Sequence, residues 1–455
     1  MTKKISIVGA GLVGSLLAIY LRKRGYEVTL YERRPDMRKV KIPAGRSINL
    51  ALSDRGWKGL QGVGVDNAIR EIGIAMTHRT MHSVDGKITT QPYGKDGQGI
   101  YAVSRGILNC TLLDIAEQSG AKVFFNERCT NINLANSEMS FENSETHSHT
   151  KATSDLIFGA DGAFAASRLQ MQLSTDKFNY SQSYLEHGYK ELMFVAKPNG
   201  SHQLDKNSLH IWPRGGYMLI ALPNLDGTFT VTMFFPLKGN PSFESLKTKL
   251  DVNKFFNEIF PDAVPLLHDL EEDFFMNPTG SLVTVKCTPW SFNNKIVLIG
   301  DAAHAIVPFY GQGMNCGFED CTVLNDLLNK HKDNWEQVIP EYERMRKPAA
   351  DAIGELAVAN FIEMRDLVGK PEFLLRKKIE GWFYEKHPDK WIPLYTMVTF
   401  TNIPYNEAQE KGKMQDAIMN EIMQMSDIEN KWNDIAVENK ILTLLKQQSP
   451  NKNGL

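Results

Sequence analysis

Three glycines near the start of the chain, in Gly9-Ala-Gly11-Leu-Val-Gly14, carry the first chemical signal. Lys4 to Val8 reads as a short buried strand and Ser15 to Arg24 as a helix ended near Gly25, which puts the glycines in the turn between them. Glycine at position 11 lets the backbone approach a pyrophosphate, whose charge then rests on the positive end of the helix. Glu32 follows at about the 20-residue interval of dinucleotide sites, at the end of a second strand from Glu27 to Tyr31, where a carboxylate would accept hydrogen bonds from a ribose. Together they point to a dinucleotide; the alternative is a packing turn followed by a surface acid.

Two aspartate segments narrow the choice between nicotinamide and flavin cofactors. Asp155-Leu-Ile-Phe-Gly-Ala-Asp161-Gly162, followed by Ser167-Arg168, resembles the Asp-Gly motif of the flavoprotein aromatic hydroxylases. Ile296-Val-Leu-Ile-Gly300-Asp301-Ala-Ala-His304 is similar to their second flavin motif, in which the aspartate binds ribitol hydroxyls. Taken without the resemblance, Asp301 reads as a helix cap and His304 as a satisfied buried histidine, the reading preferred for His304.

The loop Pro308-Phe309-Tyr310-Gly311-Gln312-Gly313-Met314-Asn315 then leads into a helix. Its positive N-terminal end suits the pyrimidine ring of a reduced, anionic flavin, because fixed dipoles stabilise charge without reorganising. A second glycine fingerprint is missing, since Gly62-Val-Gly64 is followed by Asn67, so no resident second dinucleotide is expected. A nicotinamide coenzyme would visit, reduce the flavin and leave. Disulfide reductases are disfavoured, because Cys316 and Cys321 lie far from the first helix.

Further segments carry a narrower resemblance: Gly45-Arg-Ser-Ile-Asn-Leu-Ala-Leu-Ser, Leu209-His-Ile-Trp-Pro, Ile220-Ala-Leu-Pro-Asn-Leu-Asp, Asn360-Phe-Ile-Glu-Met-Arg365 and Ile392-Pro-Leu-Tyr-Thr-Met-Val-Thr-Phe. With the loop after Pro308 they cover nearly the whole chain, which resembles the kynurenine 3-monooxygenase family. The resemblance implies bound FAD, with NADPH as a transient co-substrate, O2, and hydroxylation of L-kynurenine at the ring 3-position through a flavin C4a-hydroperoxide. It implies that Arg79, Tyr93, Asn360 and Tyr395 line the substrate site, with a guanidinium fork for the amino-acid carboxylate. It places Val13, Glu32, Ala51, Arg105, Asp301, Met314, Asn315 and the backbone at Cys129 on FAD. Gly9, Gly11, Gly14, Arg33, Asp161 and Gly300 share those cofactor segments, and Pro308, Phe309, Gly311, Gln312 and Gly313 form the catalytic loop. Phe309, Phe235 and Tyr310 are candidate apolar walls. Two alternatives stay open, a hydroxylase of another aromatic acid of the salicylate type and a non-catalytic FAD-binding protein.

These groups need a scaffold. The opening strand, helix and strand imply an α/β architecture with a doubly wound, Rossmann-like sheet, α+β overall. Tyr217 to Leu222 and Phe229 to Phe235 flank Pro-Asn-Leu-Asp-Gly and read as an antiparallel hairpin, so an antiparallel substrate domain over 176–284 interrupts a cofactor domain over 1–175 and 285–365, with 65–100 contributing to the substrate site. Lys295 to Ile299 is the returning strand. From Trp335 the chain becomes helical, Pro348 marking a kink or boundary, and 366–455 forms a C-terminal helical region. There Met414, Ile418, Ile422 and Met425 keep a helical spacing, and Ser426-Asp-Ile-Glu429 predicts a capping box opening a helix that carries Trp432 and Ile435. Asn136 to Thr153 is a loose hairpin or loop; its His147 and His149 lack a third ligand nearby, and no metal is expected.

At 455 residues, 42% hydrophobic, 23% charged and net charge −2, the chain has a globular balance and no pull toward nucleic acid. Five cysteines without a C-x-x-C pair fit a reducing, cytoplasmic setting. The apolar run after Lys4 is broken by glycines and closed by Arg22, Lys23 and Arg24, unlike a signal peptide. The family's eukaryotic members end in an apolar anchoring helix, whereas this chain ends in a polar tail, so no membrane anchor is expected. A monomer or homodimer is expected.

Overall fold

The computed structural model describes residues 3–39, 49–94, 97–364 and 370–448. Positions 45–48 and Arg365 of the segments singled out above, and the tail 449–455, lie outside these ranges.

The strand Lys4–Val8 pairs in parallel with Glu27–Tyr31 on one side and Leu156–Gly159 on the other, and Leu156–Gly159 pairs in parallel with Ile296–Leu298. Strands separated by about 150 and about 140 residues of chain therefore stand next to one another, with Lys122–Phe124 and Ser291–Phe292 at the edges of this six-stranded sheet. Near-continuous apolar strands suit it, since a parallel sheet is buried on both faces, and Leu156, Ile157, Phe158, Ile296, Val297 and Leu298 are all fully buried. The first helix runs Leu12–Lys23, three residues earlier than its apolar pattern suggests.

A seven-stranded sheet forms the second layer, in the order Gly280–Thr288, Asn179–Phe194, Phe229–Pro236, Met218–Pro223, Ser208–Pro213, His78–His82 and Ile88–Pro92. The expected hairpin is present, with Met218 opposite Phe234 and Ile220 opposite Thr232. His78–His82 joins this sheet from the first segment by parallel pairing with Ser208–Pro213. Alternation sends Met218, Ile220, Leu222, Thr232 and Phe234 to one face, while Leu219, Ala221, Val231, Met233 and Phe235 pack into a separate core with Trp212 and Phe256. The polar stretch after Asn136 forms two strands, Glu138–Asn143 and His149–Thr153, of a three-stranded antiparallel sheet.

Two local expectations are corrected. Pro348 marks no boundary: the helix Trp335–Ile362 continues through both Pro340 and Pro348. Each proline removes one backbone hydrogen bond, but Tyr342, Arg346, Ala349, Ala350 and Ile353 bury one side of this helix and hold it in register. The capping box at Ser426 does not form either. Asp427 is the cap residue, in the left-handed region at φ 61°, and opens only the short helix Ile428–Lys431; a new helix, Ile435–Gln448, follows. Trp432 and Ile435 thus share no helix. Ile418 and Ile422 are fully buried against Val437, Ile441 and Leu444, so the C-terminal helices pack on one another. Among the described residues no helix is long and apolar enough to cross a membrane.

Candidate active site

The turn after the first strand is shaped by close approaches. Gly9 adopts φ +100°, and a Cβ there would sit 2.5 Å from the Ala160 carbonyl oxygen; at Gly14 a Cβ would sit 2.1 Å from Gly9 O. Those two glycines let the helix pack on the sheet. At Gly11 a Cβ would meet nothing within 4 Å, because Gly11 faces a cavity of about 410 Å3. Gly162, at φ +85°, lines the same cavity and has the same open space. A helix N-terminus beside two bare glycines is a cradle of the kind a pyrophosphate fills.

The other cofactor segments converge here. Val13 lies against Gly300 and Gly317, where a Cβ would approach its methyl groups to 3.0 and 2.5 Å. Gly300, at φ +62°, is the cap residue and turns the chain so that Asp301, first residue of the helix Asp301–His304, lines the cavity. Ala51, Arg105, Gly313 and Met314 also line it. The positive end of the helix Gly313–Lys330 therefore opens onto the space, as a flavin ring requires.

Several predicted residues act one step back. Asp161 does not line the cavity: its carboxylate accepts from the Ser167 amide at 2.9 Å and its hydroxyl at 2.5 Å, which fixes the bend that presents Gly162 and Ala163. Asn315 donates from Nδ2 to Ala51 O and Gly311 O, both at 2.8 Å, and accepts from Ser53 N, tying the loop to the strand Asn49–Leu52. Glu32 accepts from Ala10 N at 2.9 Å and from Arg34 Nε at 2.8 Å. Burial pushes its pKa up, but the Arg34 contacts outweigh this and hold it low. Arg33 is exposed and contributes its carbonyl to Ser144. Cys129 sits in the strand Glu127–Asn133, away from the cavity lining, and burial raises its thiol to about 12.

The four clamp candidates all line the cavity, and three of them, Arg79, Tyr93 and Tyr395, lie against one another. The Arg79 guanidinium lies 5.3 Å from the ring centre of Tyr93 and 4.8 Å from that of Tyr395, whose rings are nearly parallel. Arg79 Nε and the Tyr93 hydroxyl are buried without a hydrogen-bond partner among the described residues, which leaves two donors unsatisfied by the protein. Asn360 donates to Phe309 O at 2.7 Å, anchoring the turn Pro308–Tyr310. Tyr310 stacks on Tyr395 at 5.6 Å, and Phe309 stacks on Phe361 at 4.2 Å.

The aromatic wall is corrected at one position: Phe234 lines the cavity and Phe235 faces the opposite core. Gln312 does not line the cavity either, although Gly311 and Gly313 do. Sequence reasoning missed Asn49, Tyr189 and the apolar positions Met218, Ile220 and Leu222; the alternation of the hairpin was the available signal. It also missed the network behind Asp301. Asp320 accepts from Gly300 N at 3.0 Å, His304 Nε2 at 2.7 Å and Arg346 Nε at 2.7 Å. Burial pushes the His304 pKa down, but Asp320 and Cys316 together outweigh it and hold His304 well above the usual histidine range. His304, Cys316 and Asp320 lie within ligand spacing of one another, and the cation among them is Arg346, 3.2 Å from Cys316 Sγ.

Comparison with known proteins follows the same lines. Residues 2–357 match a family described as an FAD binding domain. The chain is 53% identical over 444 residues to a kynurenine 3-monooxygenase of Flavobacterium johnsoniae, covering 98% of this chain and 99% of the relative. It is 44% identical to one from Dictyostelium discoideum, covering 94% of each. Among solved structures it resembles 2-methyl-3-hydroxypyridine-5-carboxylic acid oxygenase, with TM-score 0.66 and 18% identity over 81% of this chain and 94% of that one, a likeness of fold.

Proposed function

The chain belongs to the kynurenine 3-monooxygenase family, and from that premise we propose how its cavity performs the reaction. Kynurenine, NADPH, a proton and O2 give 3-hydroxykynurenine, NADP+ and water. FAD, when bound, supplies the electron transfer from NADPH and the activation of oxygen. The residues present fit that group: the open cradle at Gly11 and Gly162, the Asp301 carboxylate and the end of the helix Gly313–Lys330 share one cavity.

The pyrophosphate is assigned to Gly11, the ribitol hydroxyls to Asp301, and the anionic charge of the reduced ring to the Gly313 helix end. Glu32 retains lone pairs for an adenosine ribose. Arg79 is assigned to the substrate carboxylate, which its fork would hold bidentately, with the Tyr93 hydroxyl donating to the same group. The amide nitrogen of Asn360 is already committed to Phe309, so its Oδ1 is the atom that would accept from the substrate ammonium. The wall of Met218, Ile220, Leu222 and Phe234 keeps water from the reacting ring. The five cysteines are free, which supports a reducing cytoplasmic setting.

The observation that carries the reading is the pair of unsatisfied donors, Arg79 Nε and Tyr93 Oη, in the cavity that also holds Gly11 and Asp301. L-kynurenine should stimulate NADPH oxidation and gain one oxygen atom by mass. Unstimulated oxidation with unchanged kynurenine would overturn the assignment.

A further inference from the structure

Gln312 lies between two cavity-lining glycines, yet its own side chain is 1% exposed and outside the lining. Its Oε1 accepts from the Tyr405 hydroxyl at 2.8 Å, and its Nε2 donates to Ser53 Oγ at 3.3 Å. Tyr405 opens the helix Tyr405–Ile422 and is fully buried. Its ring lies 3.9 Å from the Arg55 guanidinium, which donates to Val398 O at 3.2 Å and to Ile403 O and pairs with Glu319. Val398 belongs to the short helix Leu394–Phe400, which carries Tyr395 to the cavity. One buried cluster thus joins the helix bearing Tyr395 to the loop 308–313, and none of Ser53, Arg55, Gln312, Glu319 or Tyr405 lines the cavity.

Two other side chains tie that loop, Asn360 to Phe309 O and Asn315 to Gly311 O, and both come from the two long helices that follow it. Tyr405 brings the hydrogen-bonded tie from the C-terminal helices. We propose that Tyr405 is a positioning residue for hydroxylation: through Gln312 it sets the loop 308–313 in register with Tyr395, so that the clamped substrate ring and the flavin face stay aligned. The proposal rests on the functional reading above. When alignment fails, NADPH, a proton and O2 give NADP+ and hydrogen peroxide, and kynurenine is left unchanged.

Tyr405→Phe in the full-length holoenzyme removes one hydroxyl and keeps the ring beneath Arg55. The expected result is retained FAD, a kynurenine KM within about twofold of the parent, and a fall of about threefold or more in 3-hydroxykynurenine formed per NADPH, since small misalignments at the reacting atoms cost rate steeply. Peroxide makes up the difference, and amide hydrogen exchange of the peptide spanning 308–316 becomes faster. Gln312→Met breaks the same bond from the other side and should reproduce the lowered ratio, with no further fall in the double variant. A ratio equal to the parent's in either variant, or additive losses in the double, overturns the proposal. Loss of FAD with an unchanged ratio also overturns it, as a merely structural role would give that. A parent that forms no 3-hydroxykynurenine overturns the functional reading and this proposal with it; a coupled parent with an equally coupled variant overturns this proposal alone.

Discussion

The Arg79 guanidinium sits 4.8 Å from the ring centre of Tyr395, though one residue comes from a strand in the first fifth of the chain and the other from a short helix near its end. A guanidinium stacked against aromatic rings keeps its hydrogen-bonding edge free for a carboxylate. Arg79→Ala is expected to raise the kynurenine KM by about 10- to 100-fold, the size of a lost charge-assisted pair, while FAD absorbance stays at the parent level. Steady-state kinetics on the purified flavoprotein decides this, and an unchanged KM removes Arg79 from the site.

Gly11 and Gly14 should respond oppositely to enlargement. A Cβ at Gly11 meets no atom within 4 Å, so Gly11→Ala should fold with an unchanged melting temperature in the FAD-free state yet lose bound FAD. Gly14→Ala places a Cβ 2.1 Å from Gly9 O and should cost about 1–3 kcal/mol of stability, as overpacking does. Melting curves and the flavin absorbance of each protein test the pair.

His82 makes the fold acid-sensitive. It is buried on the face of the sheet opposite Arg79, 3.0 Å from His210 and 3.3 Å from Asp262. Burial lowers its pKa to about 4, the His210 charge adds to this, and Asp262 opposes it. Between the unfolded value of about 6.5 and that lower value the unfolded chain binds more protons, so stability is full above the upper limit and declines as pH falls through the window. The decline from His82 amounts to at most about 3 kcal/mol, and His82→Phe should flatten the fall in melting temperature across that range. An equally steep fall in the variant contradicts this.

Glu191 has the opposite sign. Burial raises its pKa to about 7, against the pull of Arg105, and its Oε2 is buried without a partner. A carboxyl raised on folding favours the fold below its unfolded value and loses that contribution as pH rises through the folded one. Glu191→Gln should therefore melt higher than the parent at pH about 8 in the FAD-free protein, with the gap closing toward pH about 5. A gap that does not change with pH would show that ionisation of Glu191 plays no part.

The elements whose signal is local were legible from the residues alone. The strands Lys4–Val8 and Glu27–Tyr31, the glycine turn and the hairpin around Pro-Asn-Leu-Asp-Gly follow from short-range periodicity and turn chemistry. What escaped depends on pairing between distant segments. Phe234 and Phe235 are chemically equal, and only the register of Ile220 against Thr232 decides which one faces the cavity. The helix through Pro348 persists because of tertiary burial, which outweighs local propensity. His304 reads correctly as a satisfied buried histidine, but its partner Asp320, and Arg346 beyond it, read as ordinary polar residues until three helices bring them into contact. Gln312 belongs to a loop recognisable in sequence, but nothing local shows that its side chain reaches Tyr405.

The hairpin that separates Met218, Ile220, Leu222, Thr232 and Phe234 from Leu219, Ala221, Met233 and Phe235 has a consequence for variation. Alternate positions along the same two strands answer to different demands, one set to ligand shape and the other to cohesion of the layer beneath. A library restricted to the even-numbered positions can reshape the chamber for bulkier aryl groups while the odd-numbered ones keep the scaffold intact, so new substrate preference and folded yield can be explored independently.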